Sequence, residues 1–348
     1  MNSTRPLQAS VLSEADYDAW DRFVAGQERT GSIYSSAQYL DIFCRAAGGS
    51  FSVFAIRDGD DFVAGIGLYR RRALGHEVLS YRWLLSYNGP VVRNDLLSDE
   101  SASATRLAAL ELLRSHLDRE PVAGVSLHCR DGNQDFSPFA DSGWRLAPTS
   151  TIVVPTTDSR TLWNRLDRNA RRLVRRAEEA GCGVAADDDF DALYRTHEEV
   201  HRRKDAPLYL REAQFRRLVD GLLAAGLAKI YTARLADGSA AAAQLVLLGQ
   251  HRCSHTVCAG SHEEHLSTGA AYLLRWRAFV DLEARGYAMN DLTDASPGPV
   301  TRFKEQLGGD LKMNMLLWSR YKASYRLLKR GSEWYGALRA RLRFGAAP

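Results

Sequence analysis

The sequence predicts an α/β (α+β) fold built as two similar halves in tandem, and three observations point there. At 348 residues the chain is long for a single core, because domains run at roughly 100–200 residues. Helix and strand signals occur twice in the same order: helices, a strand meander, a helix, then a strand. No low-complexity linker separates the two runs, and the boundary falls near Pro148. The order of elements alone suggests the duplication, since no sequence repeat is visible.

In the first half, Tyr17 to Ala25 and Ser36 to Ala47 read as short helices. Phe51 to Arg57 and Asp61 to Arg71 read as strands joined at the turn Asp58-Gly59-Asp60. Leu84 to Val92 carries a strand signal broken by Asn88-Gly89-Pro90. Asp99 to Arg119 is amphipathic, with Leu107, Leu110, Leu113 and Leu117 on one face, and Val122 to Cys129 is a strand.

In the second half, a strand at Ser150 to Val154 leads into a helix from Ser159 to Ala180, stopped by Gly181 in a capping position. Asp189 to Lys204 and Glu212 to Ala225 follow as helices. Leu227 to Arg234, Ala241 to Leu248 and Arg252 to Ala259 form the meander. Thr268 to Arg285 is a helix ended by Gly286. Asn290 to Thr293 is a short strand, Val300 to Leu307 a helix and Leu311 to Trp318 the last strand.

Composition is ordinary for a globular protein, at 45% hydrophobic and 25% charged residues. No apolar run reaches the roughly 18 residues of a membrane helix, so no stable membrane insertion is expected. The N-terminus has no basic patch followed by an apolar stretch, so it does not read as a signal peptide. Five scattered cysteines suggest reduced thiols and a cytoplasmic location. Lysine occurs only at positions 204, 229, 304, 312, 322 and 329. In so arginine-rich a chain, a lysine at a motif position points to the use of its compact, titratable ammonium.

Four stretches resemble the Fem-type family of GNAT-fold transferases. They are Ser35-Ser36-Ala37-Gln38-Tyr39-Leu40, then Tyr87-Asn88-Gly89-Pro90-Val91, then Leu166 to Gly181, and finally Phe303-Lys304 with Leu307-Gly308-Gly309. The third resembles the family's arginine-rich helix and the fourth its F-K-x-x-[FL]-G element; order and spacing hold over roughly residues 30 to 320. The resemblance implies tandem GNAT-like acyltransferase domains at 1–148 and 149–320, with a helical tail at 321–348 packing on the first. No heptad-patterned insertion lies between Gly181 and Lys229, which implies the compact form without a coiled-coil arm. The family's members join an amino acid from aminoacyl-tRNA to an amine on a small metabolite or peptidoglycan precursor, and related branches use acyl-CoA.

On the predicted helix from Ser159 to Ala180, Trp163, Leu166, Ala170, Leu173, Val174 and Ala177 form the core stripe. Arg165, Arg168, Arg171, Arg172, Arg175 and Arg176 crowd the rest. Two readings stand side by side: a solvated face, or a grip on a phosphate-rich partner. The family match picks Arg171 and Arg175. Lys304 is the catalytic candidate, because an ammonium beside a carbonyl under attack stabilises the developing oxyanion. An activated ester needs no cofactor and no nucleophilic residue. Phe303 is either core packing or a substrate platform, and Tyr87 is a further substrate-binding candidate.

Asp291, Asp294 and His262 are the candidate proton acceptors. Ser261 and His262 open the stretch where a GNAT fold grips a cofactor pyrophosphate, but Leu266 occupies the place where the acyl-CoA pattern has Arg or Gln. The four histidines and two cysteines between His251 and His265 lack the spacing of a metal knuckle. From Lys312 onward, nine basic residues face one acidic residue, Glu333. Trp318, Tyr321, Tyr325, Trp334 and Tyr335 interleave them, a composition that suits either RNA or packing on the first domain. Three functions follow: an aminoacyl-tRNA-dependent transferase, an N-acyltransferase using acyl-CoA or acyl carrier protein, and a catalytically silent adaptor.

Overall fold

The computed structural model describes residues 6–296 and 298–331. In the first half, β1 (Gln8–Val11) precedes α1 (Tyr17–Gly26) and α2 (Ala37–Ala47). The meander β2 (Ser50–Asp58), β3 (Asp61–Ala73) and β4 (His76–Ser80) comes next. β5 (Val91–Val92), α3 (Asn94–Ser98), α4 (Ser103–Arg119), β6 (Val125–Cys129) and α5 (Ser137–Asp141) complete it. The second half runs β7 (Arg145–Pro155), α6 (Ser159–Arg165), α7 (Arg168–Glu179), β8 (Gly183–Ala185), α8 (Phe190–Arg203) and α9 (Glu212–Ala224). It continues with β9 (Ala228–Arg234), β10 (Ala240–Leu247), β11 (Cys253–Ser261), α10 (Ala270–Ala284), β12 (Met289–Asp291), α11 (Pro299–Glu305) and β13 (Asp310–Trp318).

Local chemistry sets several of these bounds. The Ser36 hydroxyl accepts from the Tyr39 amide and opens α2, which ends at Gly48 with φ 79°. The single helix predicted from Ser159 to Ala180 is in fact two. Leu166 turns extended, and the Asp167 carboxylate caps α7 by accepting from Asn169 N. The strand predicted at Leu84 to Val92 is also corrected: Arg82 and Leu85 exchange backbone hydrogen bonds across a turn, and only Val91–Val92 pairs, with β3.

All strands join one sheet, in the order β1-β2-β3-β4-β6-β13-β7-β12-β11-β10-β9-β8, with β5 on β3. Neighbours are antiparallel except for two parallel pairs, β4 with β6 and β11 with β12, one in each half. The halves therefore repeat one plan about the central pair β13–β7, whose register runs from Asp310↔Val153 to Trp318↔Arg145. The strand after each short helix crosses over: β7, which follows α5, lies on β12, and β13, which follows α11, lies on β6, so the two are exchanged relative to the repeated plan. Pro148 sits inside β7.

Tyr39, Leu40 and Phe43 of α2 share a buried cluster with Phe215, Leu218 and Leu222 of α9, which welds the halves on one face of the sheet. Each such side chain contributes roughly 1.5–3 kcal/mol by leaving water. A second core lies beneath α7 and α10 and a third beneath α4. Tyr321 and Tyr325 of the tail pack with Val78 and Ala123 of the first half. Of the aromatic residues read as RNA-stacking candidates, Trp334 and Tyr335 lie outside the described residues, as does Glu333. Among the described residues, no helix is long and apolar enough to cross a membrane.

Candidate active site

Lys304 rides on α11, which starts with Pro299 in its first turn. The lysine is 9% exposed. Its Nζ donates to the Thr293 carbonyl, and to the Asp294 carbonyl at 2.6 Å. Both acceptors lie in the loop after β12, where Thr293 has φ 52° and Asp294 φ 36°. Left-handed backbone at such residues costs on the order of 1–3 kcal/mol, and strain of this kind concentrates at functional sites. β11 and β12 pair only as far as His255↔Asp291, so the loop lies where the two parallel strands diverge.

Lys304 has a second cation for a neighbour. Arg275 of α10 is 8% exposed, and its Nη1 is buried without a hydrogen-bond partner. Burial and the Arg275 charge together lower the Lys304 ammonium to about 8. At neutral pH it still carries its proton. Its acceptors are neutral carbonyls, so its charge is not spent on a carboxylate and is available to an oxygen that becomes negative.

Beneath the loop, Asp291 is fully enclosed. Its carboxylate accepts from Tyr87 Oη at 2.8 Å, Thr151 Oγ1 at 2.5 Å and Thr293 N at 2.7 Å. Asn314 Nδ2 donates to Tyr87 Oη at 3.1 Å. One network thus ties β12 to the exchanged strands β7 and β13 and to the first half. Burial pushes Asp291 upward, but His255, the Thr151 hydroxyl and the Arg130 charge outweigh it and hold the carboxyl well below the usual range. His255 is wholly buried with Nδ1 3.6 Å from Asp291; burial lowers its pKa, and the Asp291 carboxylate opposes that shift. Tyr87 is 2% exposed. Neither Tyr87 nor Asp291 reaches solvent, so the structure gives both a place in the supporting network beneath the site.

The sequence reading missed His128 on β6. Its Nδ1 lies 2.7 Å from the Ser86 carbonyl, which can only accept, so Nδ1 carries the hydrogen. Nε2 is left as a bare lone pair, 3.0 Å from Thr149 Oγ1. The rings of Tyr87 and Tyr81 flank the imidazole at 5.0 and 5.6 Å. Burial lowers its pKa and keeps it neutral, and Asp294 acts electrostatically on both His128 and Lys304. The one cue in the sequence was alternation in the strand, which sets His128 opposite the buried Leu127 and Cys129.

Phe303 packs edge-on against Tyr272 at 4.7 Å, and Tyr272 Oη donates to Gln306 Oε1 at 2.5 Å. The Gln306 carbonyl accepts from Asp167 N at 3.0 Å, which couples α11 to the start of α7. Helix α7 seats closely on α10: at Gly269, φ 88°, an added Cβ would stand 2.3 Å from the Leu173 carbonyl. Its outer face, with Arg168, Arg171, Arg172, Arg175 and Arg176, lines a shallow depression of about 880 Å³. Arg165 pairs with Asp310 at 2.6 Å, and Arg175 lies over the Trp163 ring at 5.6 Å. Arg171 and Arg175 have no carboxylate partner among the described residues.

Ser261 and His262 turn toward α8. The Ser261 carbonyl accepts from Arg203, and His262 Nδ1 lies 2.6 Å from Glu199 Oε2. The structure joins neither to the Lys304 loop. Asp294 is exposed and accepts from Ser296 N and Oγ. Among the described residues, no group of three or more His, Cys, Asp or Glu side chains is placed to hold a metal ion.

The family model described as an acetyltransferase (GNAT) domain matches residues 164–305. No curated protein matches the chain in sequence. Among solved structures, FemX superposes with a TM-score of 0.68 at 13% identity, covering 88% of this chain and 96% of that one. The C-terminal domain of a candidate lysylphosphatidylglycerol synthetase from Agrobacterium fabrum gives 0.56 at 14% identity, covering 88% and 93%. L-PGS from Bacillus licheniformis gives 0.52 at 14% identity, covering 87% and 96%. At such identities the likeness is one of fold, and the fold is a tandem GNAT-like one.

Proposed function

We propose that this chain is an amide-forming acyltransferase that takes an aminoacyl group from aminoacyl-tRNA and delivers it to an amine on a small metabolite or peptidoglycan precursor. The observation that carries the reading is the Lys304 ammonium, buried, in an ion pair with no carboxylate among the described residues and held on a strained loop where β11 and β12 part. The arginine face of α7, tied to the same helix through Gln306, supports a phosphate-rich donor.

In this reading the acyl carbonyl oxygen lies at Lys304 and the amine attacks its carbon. A C–N bond forms, and negative charge gathers on the oxygen beside the ammonium, an effect worth roughly 10²–10³ in rate for one well-placed donor. The amine proton passes through the Thr149 hydroxyl to Nε2 of His128. When the ester C–O bond breaks, the same proton returns to the departing ribose oxygen. General acid–base help of this kind contributes roughly 10²–10⁴. Asp291 and Tyr87 hold Thr151 and the Thr293 amide in place, and so position the loop.

The test is filter binding of total aminoacylated tRNA and of acetyl-CoA at two salt concentrations, followed by transfer to an amine mixture. The reading expects tight tRNA binding that weakens steeply with salt and is lost in Arg171→Ala/Arg175→Ala. Stabilisation by CoA with indifference to RNA would sink the tRNA reading and leave an acyl-CoA transferase. For His128, Asn is the informative replacement, since its amide can still donate to the Ser86 carbonyl. Transfer should fall at least tenfold with an unchanged melting temperature.

A further inference from the structure

Two buried side chains between α10 and the sheet keep hydrogen-bonding capacity that no neighbour uses. Arg275 of α10 is 8% exposed, and its Nη1 has no partner among the described residues. Gln244 of β10 is wholly buried, and neither its Oε1 nor its Nε2 has one. Buried polar groups are ordinarily paired, and a buried cation left unpaired is the costliest exception. The carboxylate of Asp281, further along α10, is taken up by Tyr231 Oη and Arg285 Nε, each at 2.6 Å.

The packing places both groups in one layer. Along β10 the neighbours on the face of Gln244 are Ala242 and Val246, and these share a core with Leu274 and Ala278 of α10. Across the strand pair Gln244 stands opposite Tyr231, whose hydroxyl reaches α10 at Asp281. Arg275 lies one turn along α10 from Tyr272. Tyr272 packs against Phe303 and donates to Gln306, on either side of Lys304. Helix α10 therefore brings its buried guanidinium up to the element that carries the buried ammonium. The lowering of the Lys304 ammonium by the Arg275 charge agrees with that placement.

We infer that Arg275 and Gln244 form a carboxylate pocket beside Lys304, and that the transferred acyl group carries a carboxylate at its far end. A guanidinium meets a carboxylate with paired donors, and the Gln244 amide can add another. An anion held there compensates a charge that the protein leaves unpaired. The layer is lined by small side chains, Ala242, Ala270 and Ala278, which suits a small planar anion; the exposed arginines of α7 suit phosphate instead. Helix α7 seats on the start of α10, where Gly269 meets the Leu173 carbonyl, so the pocket lies on the donor's side of Lys304. His128, the proton acceptor, belongs to the first half. The inference rests on the acyl-transfer reading for the carbonyl at Lys304. An aspartyl or glutamyl group of an aminoacyl ester, and a dicarboxylic acyl group of a thioester, share this chemistry.

The experiment titrates the full chain by calorimetry with the α-amides of aspartate and glutamate, whose side-chain carboxylates stay free. Succinamate stands for a dicarboxylic acyl group, and glutaminamide and inorganic phosphate are the controls. The variants are Arg275→Met and Gln244→Leu, each close in shape to the residue replaced. Removing an unpaired buried charge should leave folding intact, and melting curves check this in both. The inference expects at least one carboxylate probe to bind, and glutaminamide to bind roughly tenfold or more weakly. Arg275→Met should weaken the carboxylate probe by at least tenfold, and Gln244→Leu by a smaller factor. Preference for an amino acid amide assigns an aminoacyl donor, and preference for succinamate a thioester donor. Absence of binding, equal binding of glutaminamide, phosphate bound as tightly through Arg275, or binding indifferent to Arg275→Met overturns the pocket. No RNA enters this titration, so the two readings fail separately. A chain that holds the carboxylate through Arg275 yet ignores charged tRNA refutes the tRNA reading and keeps the pocket. One that binds charged tRNA but no carboxylate probe does the reverse.

Discussion

The two halves share a strand plan and differ in what they place on it. After β6 the first half carries the short helix α5, with Phe139 followed by Ala140, where α11 carries Phe303 followed by Lys304. Both halves bend through left-handed residues after the second strand of their parallel pair, at Asp131 in one and at Thr293 and Asp294 in the other. In the first half Arg29 closes on Asp131 at 2.7 Å, and Phe139 is fully buried against Trp144. In the second half the loop carbonyls hold an ammonium. Helix α4 buries only Ala109, Leu110, Leu113 and Leu117, whereas α10 buries Arg275. One copy of the plan is neutralised into scaffold, and the other keeps uncompensated charge inside. Such charge costs stability, which is a reason to look for function there.

The sharpest way to break the contrast is to make the second half as apolar as the first. Lys304→Met should lower transfer by roughly 10²–10³ while raising stability. The sign follows from the lowered ammonium: with a folded value of about 8, the unfolded chain binds the extra proton between pH 8 and the ordinary lysine range. Wild-type stability therefore rises with pH across that window. Below it, the Met variant should gain on the order of 2–3 kcal/mol, a difference that fades above about pH 10. Denaturant melts at pH 7 and 10 read this directly. A loss of stability at pH 7 would mean that the ammonium is a structural clamp.

A smaller effect tests the junction between the halves. Asp291→Asn keeps the shape but removes the charge that three donors satisfy. At pH 7 it should cost about 1–3 kcal/mol. Because the folded Asp291 carboxyl is held low, its contribution is present above the ordinary carboxylate range and is lost as pH falls below it. Melting temperatures of wild type and variant should begin to converge as pH falls through the ordinary carboxylate range and go on converging below it. Parallel curves would assign the cost to packing. The smallest effect is the converse graft, since Ala140 is exposed. Ala140→Lys should shift stability by less than about 0.5 kcal/mol and confer nothing. If the graft changed transfer, position alone could not explain the division of labour.

Much of this was legible in the residues, for reasons that differ from place to place. The leucine stripe of Asp99 to Arg119 is periodic enough to read, because burial on one face selects the period, and Ala241 to Leu248 reads as a short apolar run because the strand is buried on both faces. The strands β1 and β8 were not legible, since neither buries a residue and so neither carries a burial period, and β4 buries only its last three. Lys304 stood out because lysine is rare in this chain and because Phe303, Gly308 and Gly309 surround it. His128 and Arg275 left no such mark. Their meaning depends on which carbonyl faces an imidazole nitrogen and on the absence of a partner, and neither is encoded locally. Asp291 was visible, but its enclosure was not, since that is set by Tyr87, Thr151 and Asn314 from distant parts of the chain.

The exchanged strands also bear on how the molecule is made. β6 gains its outer neighbour only when β13 arrives, close to the end of the chain. During synthesis the N-terminal portion therefore waits with an open sheet edge while nearly two hundred further residues emerge, a distance from Cys129 to Met315 that the register fixes. Such an edge invites pairing with other chains, and contacts of this sequence separation are slow to form. The protein consequently cannot be divided at its midpoint into two working pieces. Any shortening that removes Asp310 to Trp318 would unmake the first half, although those residues belong, by position, to the second.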